Sequence, residues 1–226
     1  MARHPSGRGA AVTRDVTVGP LERGYCGVEL RTDRGPVACR YYRAPGASRA
    51  VVYVGGVGGG WDTPARGLYP RLCEDLQGEG IAGLRVRFRD PRLLSEAAHD
   101  VLAGLRYLES DGIEAAAAIG HSFGGAVVIR AAALWPNVRT VVTLATQSYG
   151  AEPVVDLAPG ASILLVHGTD DEVLPPRCSE LLYGLAREPK RLLFYDGAGH
   201  VLDEAAEEVR RAVRDWLVEQ LRAGGE

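Results

Sequence analysis

Ser122 lies in Gly120-His121-Ser122-Phe123-Gly124, with Gly125 next in line. A serine hydroxyl is a weak nucleophile near neutral pH. It needs a neighbouring base and a place for the negative charge that its attack creates. Glycines two positions to either side let a chain turn sharply from strand to helix, in strained backbone with no room for a nearby Cβ. The apolar run Ala115–Ile119 before the motif and the helix-like run Phe123–Leu134 after it supply that context. Ser122 then stands at a helix N-terminus, which favours negative charge. The chemistry this suggests is attack on a carbonyl carbon. The alternative is a helix-start serine whose glycines serve only packing.

The base must be a histidine on the same edge of the fold. His4 is in the N-terminal tail, and His99 falls inside an expected helix. His121 adjoins the serine, with its side chain expected to point away from the base position. His167 ends an expected strand and reads as packed or orienting. His200, in Gly197-Ala198-Gly199-His200, follows the last strand and precedes the last helix. That is a loop at the carboxyl edge of the sheet, where Ser122 also lies. A carboxylate should then fix the imidazole tautomer and stabilise imidazolium. Asp170, Asp171 and Glu172 follow the penultimate strand at the same edge, and the residues alone do not choose among them.

The positioning elements are legible in the patterning. Residues 1–14 read as a tail, and 15–226 as one domain. Tyr25–Arg31 and Pro36–Tyr42 form a hairpin around Thr32-Asp33-Arg34-Gly35. Short apolar strands then alternate with helices. Strands are expected at Val51–Val54, Ile81–Phe88, Ala115–Ile119, Val138–Ala145, Ile163–His167 and Arg191–Tyr195. Helices are expected at about 64–77, 93–108, 123–134, 176–186 and 203–221. This order predicts a mostly parallel sheet with an N-terminal antiparallel hairpin and helices on both faces. Arg85, Arg87 and Arg89 alternate with apolar residues, so one face of that strand is expected to be wet. They read either as a solvated rim or, at Arg89, as a contact to an anionic substrate group.

Composition narrows the function classes. Of 226 residues, 46% are hydrophobic and 24% charged, and the net charge is −3. That fits a soluble globular chain of ordinary size and gives no basic stripe for nucleic acid. No apolar run reaches membrane-spanning length, and the basic, Gly-rich start lacks a signal-peptide core, so a cytoplasmic location is expected. Cys26, Cys39, Cys73 and Cys178 form no C-x-x-C pair, and free thiols are expected rather than a Cys26–Cys39 bridge. The run Gly55–Gly60 has Trp61 where a dinucleotide fingerprint has its third glycine.

Together these motifs resemble the α/β-hydrolase superfamily, dienelactone-hydrolase-like and carboxylesterase-like members in particular, from Val51 to the C-terminal helix. The order serine, acid, histidine matches that family. Its Gly-x-x-Asp-x-x-x-Pro pattern falls on Gly168, Asp171 and Pro175, so the resemblance favours Asp171 over Asp170. It implies a catalytic triad of Ser122, Asp171 and His200, and an oxyanion hole from the backbone N–H groups of Phe123 and Val57. The family commonly has His-Gly-x where this chain has Gly55-Gly56-Val57, so a side chain that often braces the loop is missing here. Against the family's usual lid of tens of residues, only residues 146–161 are present. An open site is expected, with Trp61, Tyr149 and Leu174 near its mouth.

The reaction implied is hydrolysis of a carboxylic ester or thioester through an acyl-enzyme, with no metal or organic cofactor. The partner is a small-molecule acyl substrate or an acyl group on a larger carrier, with no nucleic acid and no membrane; the oligomeric state is open. An acyltransferase with the same triad is the enzymatic alternative, and a non-catalytic binding protein of this fold is the other.

Overall fold

The computed structural model describes residues 12–222. Three strands come first: β1 (Thr13–Glu22), β2 (Tyr25–Thr32) and β3 (Gly35–Tyr42). Then follow β4 (Arg49–Val54), α1 (Pro64–Gln77), β5 (Ile81–Val86), α2 (Leu94–Ser110), β6 (Ala115–His121) and α3 (Phe123–Ala133). The chain ends with β7 (Val138–Leu144), β8 (Ser162–Gly168), α4 (Arg177–Leu185), β9 (Lys190–Tyr195) and α5 (Ala206–Arg222). The strands form one sheet in the order β1-β2-β3-β5-β4-β6-β7-β8-β9. The pairings β1–β2, β2–β3 and β3–β5 are antiparallel, and the others are parallel.

Two cores clamp this sheet, and successive residues of a strand feed opposite ones. Val52 packs with Leu84, Val101, Val127 and Ile163 beneath α2, α3 and α4. Its neighbour Val51 packs with Leu72, Ile119, Leu164 and Val213 beneath α1 and α5. Coverage of both faces explains why β6 and β8 read as unbroken apolar runs rather than as alternation. Each such Val, Leu or Ile contributes about 1.5–3 kcal/mol by leaving water, so the carboxyl edge of the sheet is a rigid shelf for the loops above it.

Four features depart from the expectations or add to them. First, β1 extends the N-terminal hairpin to three strands. It is exposed along almost its whole length, so it has no buried face to create alternation. Its signals are the β-branched run Val16-Thr17-Val18 and the positive-φ pair Arg23-Gly24, which reverses the chain into β2. The expected tail therefore stops short of Thr13; residues 1–11 of that tail lie outside the described residues. Second, Ala65, Arg66 and Gly67 are left-handed, so α1 becomes regular only after them. Third, Arg85 is buried, at 5% exposure, rather than part of a solvated rim. Fourth, β5 ends at Val86, two residues before the predicted end at Phe88. The cysteines are free thiols; Cys39 pairs across the ladder with Val28, not with Cys26. No described helix is long and apolar enough to cross a membrane.

Candidate active site

Ser122 occupies the turn between β6 and α3 at φ 55° and ψ −119°, a conformation that L-residues rarely adopt. Its N–H donates to the Leu144 carbonyl at 2.9 Å, which ties the turn to β7. A Cβ at Gly120 would lie 2.1 Å from Gly124 O, and one at Gly124 would lie 2.2 Å from Gly55 O. The glycines are therefore required by close approach. They let α3 sit against the start of its own turn and against the loop after β4. Ser122 is recessed, at 7% exposure.

His200 and Asp171 meet Ser122 in a row. His200 Nε2 is 3.0 Å from Ser122 Oγ, and His200 Nδ1 is 2.8 Å from Asp171 Oδ2. Asp171 Oδ1 accepts the N–H groups of Val173 and Leu174, each at 2.8 Å. Burial alone would raise the Asp171 pKa, but donors from Leu174, His200 and Val173 outweigh it and hold the carboxyl below the ordinary range. Asp170 is exposed; its carboxylate accepts a bond from Thr169 Oγ1, and its N–H donates to Ala198 O at 3.0 Å, joining the acid loop to the histidine loop. The left-handed start of α1 holds the histidine loop from the other side, with Ala65 N–H on Val201 O at 2.7 Å and Arg66 N–H on Asp203 Oδ1 at 2.8 Å.

His121 does not point away, as expected, but packs on His200. The ring centroids are 4.8 Å apart, and His121 Nε2 donates to the His200 carbonyl at 2.9 Å. His121 Nδ1 is buried without a hydrogen-bond partner among the described residues. His167, read from sequence as packed or orienting, is fully buried, with Nε2 3.1 Å from Asp171 Oδ2.

The loop after β4 is braced without the missing histidine. Asp62 folds back on it: a Cβ at Gly55 would lie 2.9 Å from Asp62 Cβ. Asp62 Oδ2 accepts Gly56 N–H at 3.4 Å and Oδ1 accepts Thr63 N–H at 2.9 Å. From below, Arg85 Nη2 donates to Trp61 O at 2.7 Å. Both braces escape sequence reading because Asp62 resembles an ordinary loop carboxylate and Arg85 an ordinary strand-face cation. As first residue of α3, Phe123 has an N–H with no intrahelical acceptor. Val57 N–H has no protein acceptor among the described residues, and its side chain is 59% exposed.

The remaining expected residues separate. The Trp61 ring lies 4.2 Å from the Arg40 guanidinium, which also stacks on Tyr25. Tyr149 is exposed in the loop after β7. Leu174 acts through its backbone, on Asp171 and His167. Arg89 is occupied: Nε binds Asp100 at 2.6 Å, Nη2 binds Glu96 at 3.0 Å and Nη1 binds Arg34 O at 2.5 Å. These partners account for Arg89 without a substrate anion.

Burial pushes the pKa of both His121 and His167 down, so they stay neutral in the fold. In the unfolded chain a histidine protonates near 6.5. Below that pH the unfolded state binds more protons than the native one, so stability falls as pH falls. The loss is up to about 1.4 kcal/mol per pH unit for each histidine, until its native pKa is passed. Urea midpoints are expected to be flat from pH 8 to 7 and to drop from pH 6.5 to 5. A midpoint unchanged at pH 5 would contradict two buried neutral imidazoles.

No family model matches the chain. Among curated proteins, it is 30% identical over 127 residues to the uncharacterized protein YfhR of Escherichia coli (strain K12), covering 45% of each chain. It is 32% identical over 103 residues to YfhR of Salmonella typhi, covering 38% of this chain and 35% of that one. The chain thus spans under half the length of the curated relatives it matches. Among solved structures, it is similar to a dienelactone hydrolase from Anabaena variabilis, with TM-score 0.76 and 19% identity over 87% of this chain and 98% of that one. It is also similar to Est1E from Butyrivibrio proteoclasticus (TM-score 0.73, 18% identity, 87% and 99% covered) and to an esterase domain from Rhodothermus marinus (0.70, 19%, 92% and 99%). The nine-stranded sheet, its antiparallel N-terminal edge and these likenesses agree: the chain has the α/β-hydrolase fold.

Proposed function

We propose that this chain is a serine hydrolase that cleaves carboxylic esters or thioesters through an acyl-enzyme. The observation that carries this reading is the hydrogen-bonded row of Ser122, His200 and Asp171 on a strained strand-to-helix turn. Ser122 Oγ attacks the acyl carbon while His200 Nε2 takes its proton. The imidazolium that forms keeps its Nδ1–H on Asp171 Oδ2, where a buried charge is worth most. The N–H groups of Val57 and Phe123 receive the oxyanion. His200 then protonates the leaving alcohol or thiol, and a water activated by the same nitrogen releases the acid.

The names of the structural neighbours favour ester chemistry, and one of them, Est1E, is seen with ferulic acid bound. The short segment 146–161 is consistent with an open mouth. It carries only a 3-10 turn at Glu152–Asp156, with Val154 buried. Exposed Val57, Tyr149, Val173 and Val201 lie on loops at the carboxyl edge and offer apolar contact to an acyl group.

The test is a panel of alkyl esters and thioesters of increasing acyl length, with a fluorophosphonate adduct mapped by peptide mass. Turnover of part of the panel and an adduct on Ser122 are expected. No turnover anywhere, or an adduct on another residue, would overturn the reading.

A further inference from the structure

We infer that His167 is a positioning residue for the proposed acid: it donates a second imidazole N–H to Asp171 and so fixes and shares the carboxylate that serves His200. The inference rests on the Ser122–His200–Asp171 reading above.

The hydrogen-bond partners decide the tautomer. His167 Nε2 is 3.0 Å from the Leu174 carbonyl, which can only accept, so Nε2 carries the hydrogen. The same nitrogen is 3.1 Å from Asp171 Oδ2. His167 Nδ1 is 2.7 Å from Ser179 Oγ and, in a neutral ring, accepts the Ser179 hydroxyl proton. The ring is fully buried and Ser179 is too, so water does not compete for these groups. The Nε2–H is thus shared between Leu174 O and Asp171 Oδ2.

Asp171 is thereby saturated. Oδ1 takes two backbone N–H groups, and Oδ2 takes one from His200 and one from His167. Four donors leave the carboxylate no freedom to rotate, and they keep it ionised. When His200 becomes imidazolium it draws harder on Oδ2, and His167 can lean on Leu174 O without losing its bond. Removing the His167 donor concentrates negative charge on the His200 side and so stabilises imidazolium. The ionisable groups around the pair are Asp171 itself, His121 against the His200 ring, and Asp62 near His121.

The test compares His167→Leu, which removes the donor, with His167→Gln, which keeps an N–H near the Nε2 position. In His167→Leu, kcat is expected to fall at least tenfold with KM unchanged, and the acid limb of the kcat/KM profile should move to higher pH. His167→Gln should recover most of the rate and return the limb. Equal impairment of both variants with an unmoved limb would mean packing alone and would overturn the inference. Asp171→Asn is run beside them. If it stays active, the triad reading itself fails. If it is inactive while His167→Leu matches wild type, only the role of His167 fails. Should neither His167 variant fold, proton NMR of the wild type decides. Three downfield imidazole N–H signals are expected, from His200, His121 and His167, and the one that shifts in Ser179→Ala should also shift in Asp171→Asn; a Ser179-sensitive signal that Asp171→Asn leaves unmoved would overturn the inference.

Discussion

Ser122→Ala is expected to lower ester hydrolysis by about 10⁴-fold or more, since loss of a nucleophile removes the whole acyl-enzyme route. Alanine keeps the Cβ and therefore the same backbone constraint at φ 55°. It deletes only an oxygen whose one side-chain partner among the described residues is His200 Nε2. The fold should be unaffected, with a melting temperature within a degree or two of wild type, so that the lost rate reads chemistry rather than unfolding. Residual turnover should come from the N–H groups of Val57 and Phe123 acting on bound ester attacked by water. The measurement is initial rate on a panel substrate together with fluorophosphonate labelling. Labelling of the variant to the same extent as wild type would remove Ser122 from the mechanism.

Asp171→Asn should cost nearly as much, about 10⁴-fold, while the neighbouring Asp170→Asn should leave the rate close to wild type. The geometry gives the reason. Val173 and Leu174 both point N–H groups at Oδ1, so an asparagine must turn its carbonyl oxygen there. Its NH2 group then faces His200 Nδ1 and forces that nitrogen to accept. The ring's hydrogen moves to Nε2, facing Ser122 Oγ, and a base already protonated there cannot take the serine proton. Asp170 is exposed and, among the described residues, its carboxylate has Thr169 Oγ1 as its hydrogen-bond partner, so the same change there meets water. Rates for the two variants under identical conditions check this. Equal losses would return the acid to an open choice.

Ser122, His200 and the sheet that carries them are written locally. The glycines around Ser122 answer to clashes within a few residues of chain, and the parallel strands announce themselves because two-sided burial demands unbroken apolar runs. Local patterning also placed the three chemical loops at one edge, since each follows a strand of the same direction. Beyond that, patterning was silent wherever a contact joins distant segments. β1 has no buried face and so no periodicity to read. Arg85 and Asp62 look ordinary until folding sets one beneath Trp61 and the other against Gly55. His121 was expected to point away from the base, His167 to be packed or orienting, and Arg89 to be a solvated rim or a substrate contact, because partners 4 to 79 residues away decide what each one does.

The sequence by itself therefore determined the chemistry available: a serine on a strained turn and a histidine and acids on neighbouring loops. Tertiary structure alone decided how that chemistry is aimed. It put His200 Nδ1 on Asp171 Oδ2, braced the Gly55–Val57 loop with Asp62 and Arg85, and set a second imidazole beside the same carboxylate. The physical reason is that backbone strain and apolar periodicity are short-range constraints carried by neighbouring residues. Hydrogen-bond direction, by contrast, depends on the positions of groups that only the completed fold brings within hydrogen-bonding distance.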